Sequence, residues 1–147
     1  MDRTVRRRWT LDIGLLIACA LFVSACAVDQ TRRGLPPAAQ TAIDNITDDI
    51  AAGRDDKIYD EAADEWRRAA THDESHASFE RVRNTFGRVL SRALVAGREE
   101  QTANGHAIVA TFNTRFERAD AIEAFTLVER DGRWQLARYT AHSDALR

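Results

Sequence analysis

The fold is decided by residues 104–142, NGHAIVATFNTRFERADAIEAFTLVERDGRWQLARYTAH. Within them, apolar and polar residues alternate over three stretches, which is the two-residue period of half-buried strands. Asn104-Gly105 and Asp131-Gly132 are dipeptides that favour two-residue hairpin turns. The pattern therefore predicts antiparallel strands joined by tight turns. The predicted strands are 106–115, 121–130 and 133–142.

Side-chain alternation also predicts which residues share a face of each strand. On the last strand, Trp134 and Leu136 are expected on one face, with Ala137 and Tyr139 on the other. Residues 88–97 fit either a helical or an alternating period. We interpret them as a further strand, because Gly87 breaks the preceding helix.

Three amphipathic helices are predicted before Gly87. The first runs from Pro37 to Gly53, because proline suits a helix start and glycine a left-handed end. The second opens at Asp55 or Asp56 and continues to Ala69 as one helix. The third begins near Thr71 or Ser75 and ends at Gly87. The apolar residues that recur at helical spacing are Ile43, Ile46 and Ile50, then Ile58, Ala62, Trp66 and Ala69, then Phe79, Val82 and Phe86.

Helices followed by an antiparallel meander predict an α+β fold, with the N-terminal helices packed on one face of a four-stranded sheet. The predicted single domain spans residues 37–144. No internal repeat interrupts it.

The N-terminus has the features of an export signal. Arg6-Arg7-Arg8 is a basic start, residues 11–23 are an apolar run too short to span a bilayer, and small residues precede Cys26. Val23-Ser24-Ala25-Cys26 resembles the lipobox of bacterial lipoproteins. The resemblance implies a signal peptide over 1–25 and lipidation of Cys26. Residues 26–36 are predicted to be a tether, because the segment is polar, has no apolar period and ends at Pro36-Pro37.

Two alternatives to this processing stay open. Leu16-Ile17-Ala18-Cys19 is a second candidate lipobox, although cutting there leaves a very short apolar run. An uncleaved anchor or an ordinary secretory signal is the other. The resemblance also implies an address: Ala27 stands where aspartate typically retains lipoproteins at the inner membrane, which favours the outer membrane, facing the periplasm.

Charge and cysteine content argue against a nucleic-acid partner, an intramolecular disulfide and a metal site. The signal holds four of the 21 Lys and Arg residues but only two of the 23 Asp and Glu residues, so the remaining chain is more acidic than the whole. This argues against a nucleic-acid partner. With Cys19 removed and Cys26 lipidated, no intramolecular disulfide is expected. We predict no cofactor and no metal site, since a metal would depend on His, Asp and Glu alone.

Several motifs resemble known domains. The order of three helices and four strands is similar to the nuclear-transport-factor-2-like, or cystatin-like, superfamily. More narrowly, the chain resembles a family of bacterial exported domains of unassigned function. The motifs that carry this likeness are Gly53, Tyr59, Ala63 and Trp66, then Phe86-Gly87 with Ser91-Arg92, then residues 129–134. The resemblance implies a cone-like sheet with an internal pocket, in a superfamily that includes enzymes, ligand carriers and dimeric modules.

Candidate catalytic residues are few. The histidines of segment 72–76 lie four residues apart, as in some metal sites, but the segment also has the form of a capped helix start, which we favour. On the strands, His106, Asn113, Tyr139 and His142 are candidates for a general base. None pairs with an obvious acidic partner in the sequence pattern, so no catalytic residue is predicted.

The aromatic residues either fill the core or line an apolar pocket, for which the candidates are Tyr59, Trp66, Phe112 and Tyr139. The sequence thus favours a lipid-anchored, non-catalytic module that binds an envelope protein or a small apolar ligand. The alternative is a hydrolase or isomerase acting on a small molecule inside the cone. A homodimer formed through the exposed sheet face is a third reading.

Replacing Cys26 by alanine should release the protein from membranes, because the lipid attached to that thiol is the expected anchor. Cell fractionation with immunoblotting measures this, and Cys19→Ala is the matched control that should stay membrane-bound. Unchanged membrane association of Cys26→Ala would refute lipidation at this residue.

Overall fold

The computed structural model describes residues 34–103 and 105–144. The predicted signal peptide over 1–25, both cysteines and most of the 26–36 tether lie outside these residues. The helices are α1 (Pro37–Ala52), α2 (Asp55–Glu61), α3 (Asp64–Ala69) and α4 (His72–Phe86). The strands are β1 (Val89–Thr102), β2 (Gly105–Phe116), β3 (Asp120–Arg130) and β4 (Arg133–His142). The α+β fold class is confirmed. Across the described residues, every helix is too short or too polar to cross a bilayer.

The four strands form one antiparallel sheet in the order β1-β2-β3-β4. Arg130 pairs with Arg133 across a turn in which Asp131 and Gly132 both have positive φ, 51° and 72°, as the turn prediction requires. At the first hairpin Thr102 pairs with Gly105, while Asn104 lies outside the described residues.

The first strand is longer than the 88–97 predicted. It continues to Thr102, because Glu99, Glu100 and Gln101 pair with the first half of β2. These polar residues gave no strand signal. An edge strand needs only its neighbour's backbone for pairing, so its side chains are free to be polar.

The helices cover one face of the sheet, which we call the inner face. The strand residues buried there are Ile108, Ala110, Phe112, Phe125, Leu127, Leu136 and Tyr139. They pack against helix residues that include Ile43, Ile50, Ile58, Trp66 and Phe79. On the other, outer face, Asn113, Arg115 and Ile122 are exposed, so the core lies between the sheet and the helices.

The predicted facing of β4 is right for Trp134, Leu136 and Ala137 but wrong for Tyr139, because the strand contains a bulge. Thr126 pairs with Arg138 and Leu127 with Leu136, which leaves Ala137 as an extra residue on β4. The extra residue reverses the alternation after it. As a result, Tyr139 joins Leu136 on the inner face.

The predicted second helix is also wrong as a single element. It breaks into α2 and α3 at Ala62 and Ala63, whose ψ angles of 159° and 160° are extended. The Ala63 N–H donates to the Leu136 carbonyl at 2.9 Å, and the Ala63 carbonyl accepts from the Trp66 N–H. Pairing with the free edge of β4 therefore replaces helical bonding at a place with neither Gly nor Pro.

The predicted helix ends are otherwise confirmed. Pro37 is the first residue of α1, and Gly53 follows its last residue with a left-handed φ of 71°. Gly87 follows α4 with φ 78° and ψ −156°, a conformation that essentially only glycine adopts.

Replacing Gly87 by alanine should lower the free energy of unfolding by about 3 kcal/mol, through backbone strain together with crowding. A Cβ atom there would lie 2.8 Å from Glu117 Oε2 and 3.1 Å from Glu117 Cβ. Gly132→Ala is the control, since its φ is 72° but nothing lies within 4 Å of its Cβ, and it should cost only about 1 kcal/mol. Urea denaturation followed by circular dichroism measures both, and equal losses would contradict the crowding argument.

Candidate functional site

A line of polar side chains crosses the apolar inner face, and we call it the polar row. Each strand contributes one member: Arg92 from β1, Thr114 from β2, Glu123 from β3 and Tyr139 from β4. Arg92 and Thr114 are direct cross-strand partners. The other members meet across diagonal positions of the sheet, within reach of long side chains.

Glu123 is the centre of the polar row, with a side chain that is only 2% exposed. Its carboxylate accepts hydrogen bonds from Arg92 Nε at 2.8 Å, from the Tyr139 hydroxyl at 2.7 Å and from the Thr114 hydroxyl. Burial, and next the charge of Glu123, raise the pKa of the Tyr139 hydroxyl far above its ordinary value. That hydroxyl therefore stays protonated and available as a donor.

Arg92 links the polar row to the helices. Its guanidinium lies 5.6 Å from the ring centre of Phe112 and 5.7 Å from that of Phe125. Nη1 donates to Thr47 Oγ1 of α1 at 3.1 Å. Nη2 is enclosed and has no acceptor among the described residues. The side chain is 13% exposed, so this cation is mostly removed from water.

A cavity of about 240 Å³ lies beside the polar row, between the ends of α1 and α4 and the start of β1. Arg92, Glu123 and Tyr139 form its polar floor. Its apolar wall consists of Ile50, Ala51, Val82, Val89 and Phe116. Its rim carries Arg83, Arg88, Glu117 and Arg118.

The rim arginines hold structural elements together. Arg83 donates to both oxygens of the buried Asp55 carboxylate, at 2.5 and 2.7 Å, and to the Ile50 carbonyl near the end of α1. Arg118 donates to the Asn84 carbonyl near the end of α4. The Ile50 carbonyl also accepts from the Gly53 N–H, so Arg83 adds a second donor at the end of α1. Arg118 bonds a carbonyl in the last turn of α4, where backbone donors run out.

Arg88 has a partner on the same rim. Its guanidinium and its backbone N–H both bond the Glu117 carboxylate, at 2.6 to 2.9 Å. The backbone bond from Arg88, followed by the guanidinium, lowers the pKa of Glu117. All three rim arginines are therefore engaged, whereas Nη2 of Arg92 on the floor has no acceptor among the described residues.

Of the predicted pocket residues, Tyr139 lines this cavity and the other three lie elsewhere. Tyr59 contacts the His72 ring edge-on, with ring centres 5.0 Å apart. Trp66 stacks on Phe79 at 5.4 Å, and Phe112 meets Phe125 edge-on at 5.8 Å within the core.

Segment 72–76 is a capped helix start, as interpreted from the sequence. The Thr71 side chain accepts from the Glu74 N–H, and the Glu74 carboxylate accepts from the Thr71 N–H. His72 Nε2 lies 3.3 Å from Asp56 Oδ1, and His76 Nδ1 lies 3.1 Å from Asp55 Oδ2. The two imidazoles thus pair with different carboxylates. Among the described residues, no three His, Cys, Asp or Glu side chains cluster as a metal site would require.

The other strand candidates lie away from the cavity. His106 stands between Glu129 and Glu99, with one ring nitrogen 3.1 Å from each carboxylate. The hydrogen bond with Glu129 raises the pKa of His106. His106 lies at the start of β2, whereas the cavity borders its end. Asn113 and His142 are exposed.

Sequence reasoning missed Arg92, Thr114 and Glu123. One signal was available for the glutamate: it alternates in phase with Phe125 and Leu127, which places it on the buried face of β3.

Replacing Glu123 by leucine should lower the free energy of unfolding by about 3–5 kcal/mol, because Arg92 then stays buried without its anion. The double variant Arg92→Met/Glu123→Leu should recover most of this loss. The exposed control Glu61→Gln, which removes only a surface pair with Lys57, should cost less than about 1 kcal/mol. Denaturant titration of the unmutated protein and these three variants tests this, and a double variant no more stable than Glu123→Leu would contradict it.

Comparison with known proteins places this chain in a family. No curated protein matches it. A family model described as "Protein of unknown function (DUF4019)" matches residues 42–139, about two thirds of the chain. The match runs from α1 to Tyr139 of β4 and so contains the whole polar row. The chain belongs to this DUF4019 family.

Proposed function

We propose that the protein is a non-catalytic binding domain, held at the cell envelope by lipid on Cys26, that takes a small apolar ligand into the cavity beside the polar row. The observation that carries the proposal is the cavity itself, with an apolar wall and a few convergent polar groups. Binding pockets for small molecules combine these two features.

The cavity limits the size of the ligand. At about 30 Å³ for each water-sized group, 240 Å³ holds roughly eight such groups. This suits a compact molecule, such as one aromatic ring with a substituent. The wall residues Ile50, Val82 and Phe116 offer apolar contact on several sides.

The lipid anchor supports a binding role by confinement. A flexible tether over 26–36 has a root-mean-square reach of about 20 Å. Any ligand or partner at the same membrane then meets the domain at a raised effective concentration. Ala27 after Cys26 supports the outer membrane, facing the periplasm, as the site of anchoring.

One observation favours the alternative of a hydrolase or isomerase: Glu123 is a carboxylate at the cavity floor. A general base must accept a proton from its substrate. The carboxylate of Glu123 already accepts from a guanidinium and two hydroxyls, which occupy three of its roughly four acceptor positions. The geometry therefore supports Glu123 as the residue that holds Arg92, and binding is the better proposal.

An envelope protein partner and a homodimer through the outer face stay predictions. The outer face exposes Ile122, which is 52% accessible, on a surface that the helices leave uncovered. The mass of the intact complex, obtained in the following experiment, reports on both.

Native mass spectrometry of the full protein, extracted gently from its own membranes, should show an added small-molecule mass that denaturation removes. Ala51→Trp should abolish the added mass, because residue 51 lines the cavity. Ala52→Trp is the matched control, one position along and outside the lining, and should keep it. If the protein without substitutions shows no added small-molecule mass, ligand binding would be overturned and protein partners would be the next candidates.

A further inference from the structure

We infer that the ligand carries a carboxylate, and that the Nη edge of Arg92 binds it. This inference rests on the proposed function, because it names the chemical class of molecule that the cavity takes.

The first step is the incomplete bonding of Arg92. Its Nε is used by Glu123 and its Nη1 by Thr47, while Nη2 is enclosed without an acceptor. A buried charged donor without a partner costs free energy. An acceptor entering from the cavity, with a small shift of the guanidinium, removes that cost. The site is therefore incomplete as it stands.

The second step is the geometry of the free edge. A guanidinium presents paired N–H groups that match the two oxygens of a carboxylate. Because Nε is engaged by Glu123, the Nη1–Nη2 edge remains for a second carboxylate. Thr47 is a weaker competitor for Nη1 than an anion, since charge-assisted hydrogen bonds are the stronger ones.

The third step is the charge around the cavity. Four arginines line it, against the two carboxylates of Glu117 and Glu123. Outside the lining, Asp55 and Glu80 both act on the charge of Arg83. An excess of positive charge remains at the lining, which favours a ligand with one negative charge and disfavours a cation.

The test compares three probes of nearly equal shape: benzoate, benzamide and benzylamine. The full protein in lipid nanodiscs is titrated with each by ligand-observed NMR, with empty nanodiscs as the blank. Benzoate should bind at least tenfold more tightly than benzamide, and benzylamine more weakly than both. In Arg92→Met/Glu123→Leu the preference of benzoate over benzamide should fall to within twofold.

The matched control is Arg98→Met/Glu100→Leu, which removes another Arg–Glu pair of β1, remote from the cavity lining. It should keep the tenfold preference. If the Arg92→Met/Glu123→Leu variant fails to fold, Arg92→Lys replaces it in the test. Lysine retains a cation for Glu123 but lacks the Nη edge. The ratio of benzoate to benzamide affinity should then fall at least fivefold.

The outcomes separate the two proposals. Equal affinity for benzoate and benzamide would overturn the carboxylate inference while leaving a ligand cavity. A preference for benzoate that survives every change at Arg92 would also overturn it. No binding of any probe, together with a bare native mass, would overturn the proposed function as well.

Discussion

The buried ion pair of Arg92 and Glu123 is the interaction on which the arrangement of the sheet depends. Removing both charges from water is costly, and their attraction offsets that cost only when their remaining hydrogen-bonding groups also find partners. Thr114, Tyr139 and Thr47 supply those partners from β2, β4 and α1. A slip of one residue in β2 or β4 would turn its member of the polar row to the outer face and remove one of the three donors to the buried Glu123 carboxylate.

The bulge in β4 is part of the same constraint. In a regular strand, residue 138 would follow Leu136 on the inner face. The extra residue at Ala137 places Tyr139 there instead, with its hydroxyl 2.7 Å from Glu123. Bulges re-aim side chains near sites in this way. The extra residue at Ala137 therefore both makes β4 irregular and places Tyr139 in the polar row.

Whether a feature could be predicted from the sequence depends on how far apart along the chain its interacting residues lie. The Asp131-Gly132 turn, the ends of α1 and the cap at Thr71 depend on neighbours within four residues, and all were predictable. The break at Ala63 and the bulge at Ala137 depend on partners far along the chain and carry no Gly or Pro. Arg92 and Glu123 lie on nonadjacent strands, and charged residues in an alternating pattern are ordinarily assigned to solvent.

Stability alone does not account for the polar row. Apolar residues of similar volume at the positions of a buried ion pair are often as stable or more so. The rim arginines are explained by the helix ends and carboxylates that they bind, but Arg92 is not, because its pairing with Glu123 leaves Nη2 without an acceptor. In the proposal made above, the carboxylate of the ligand supplies the acceptor that Nη2 lacks.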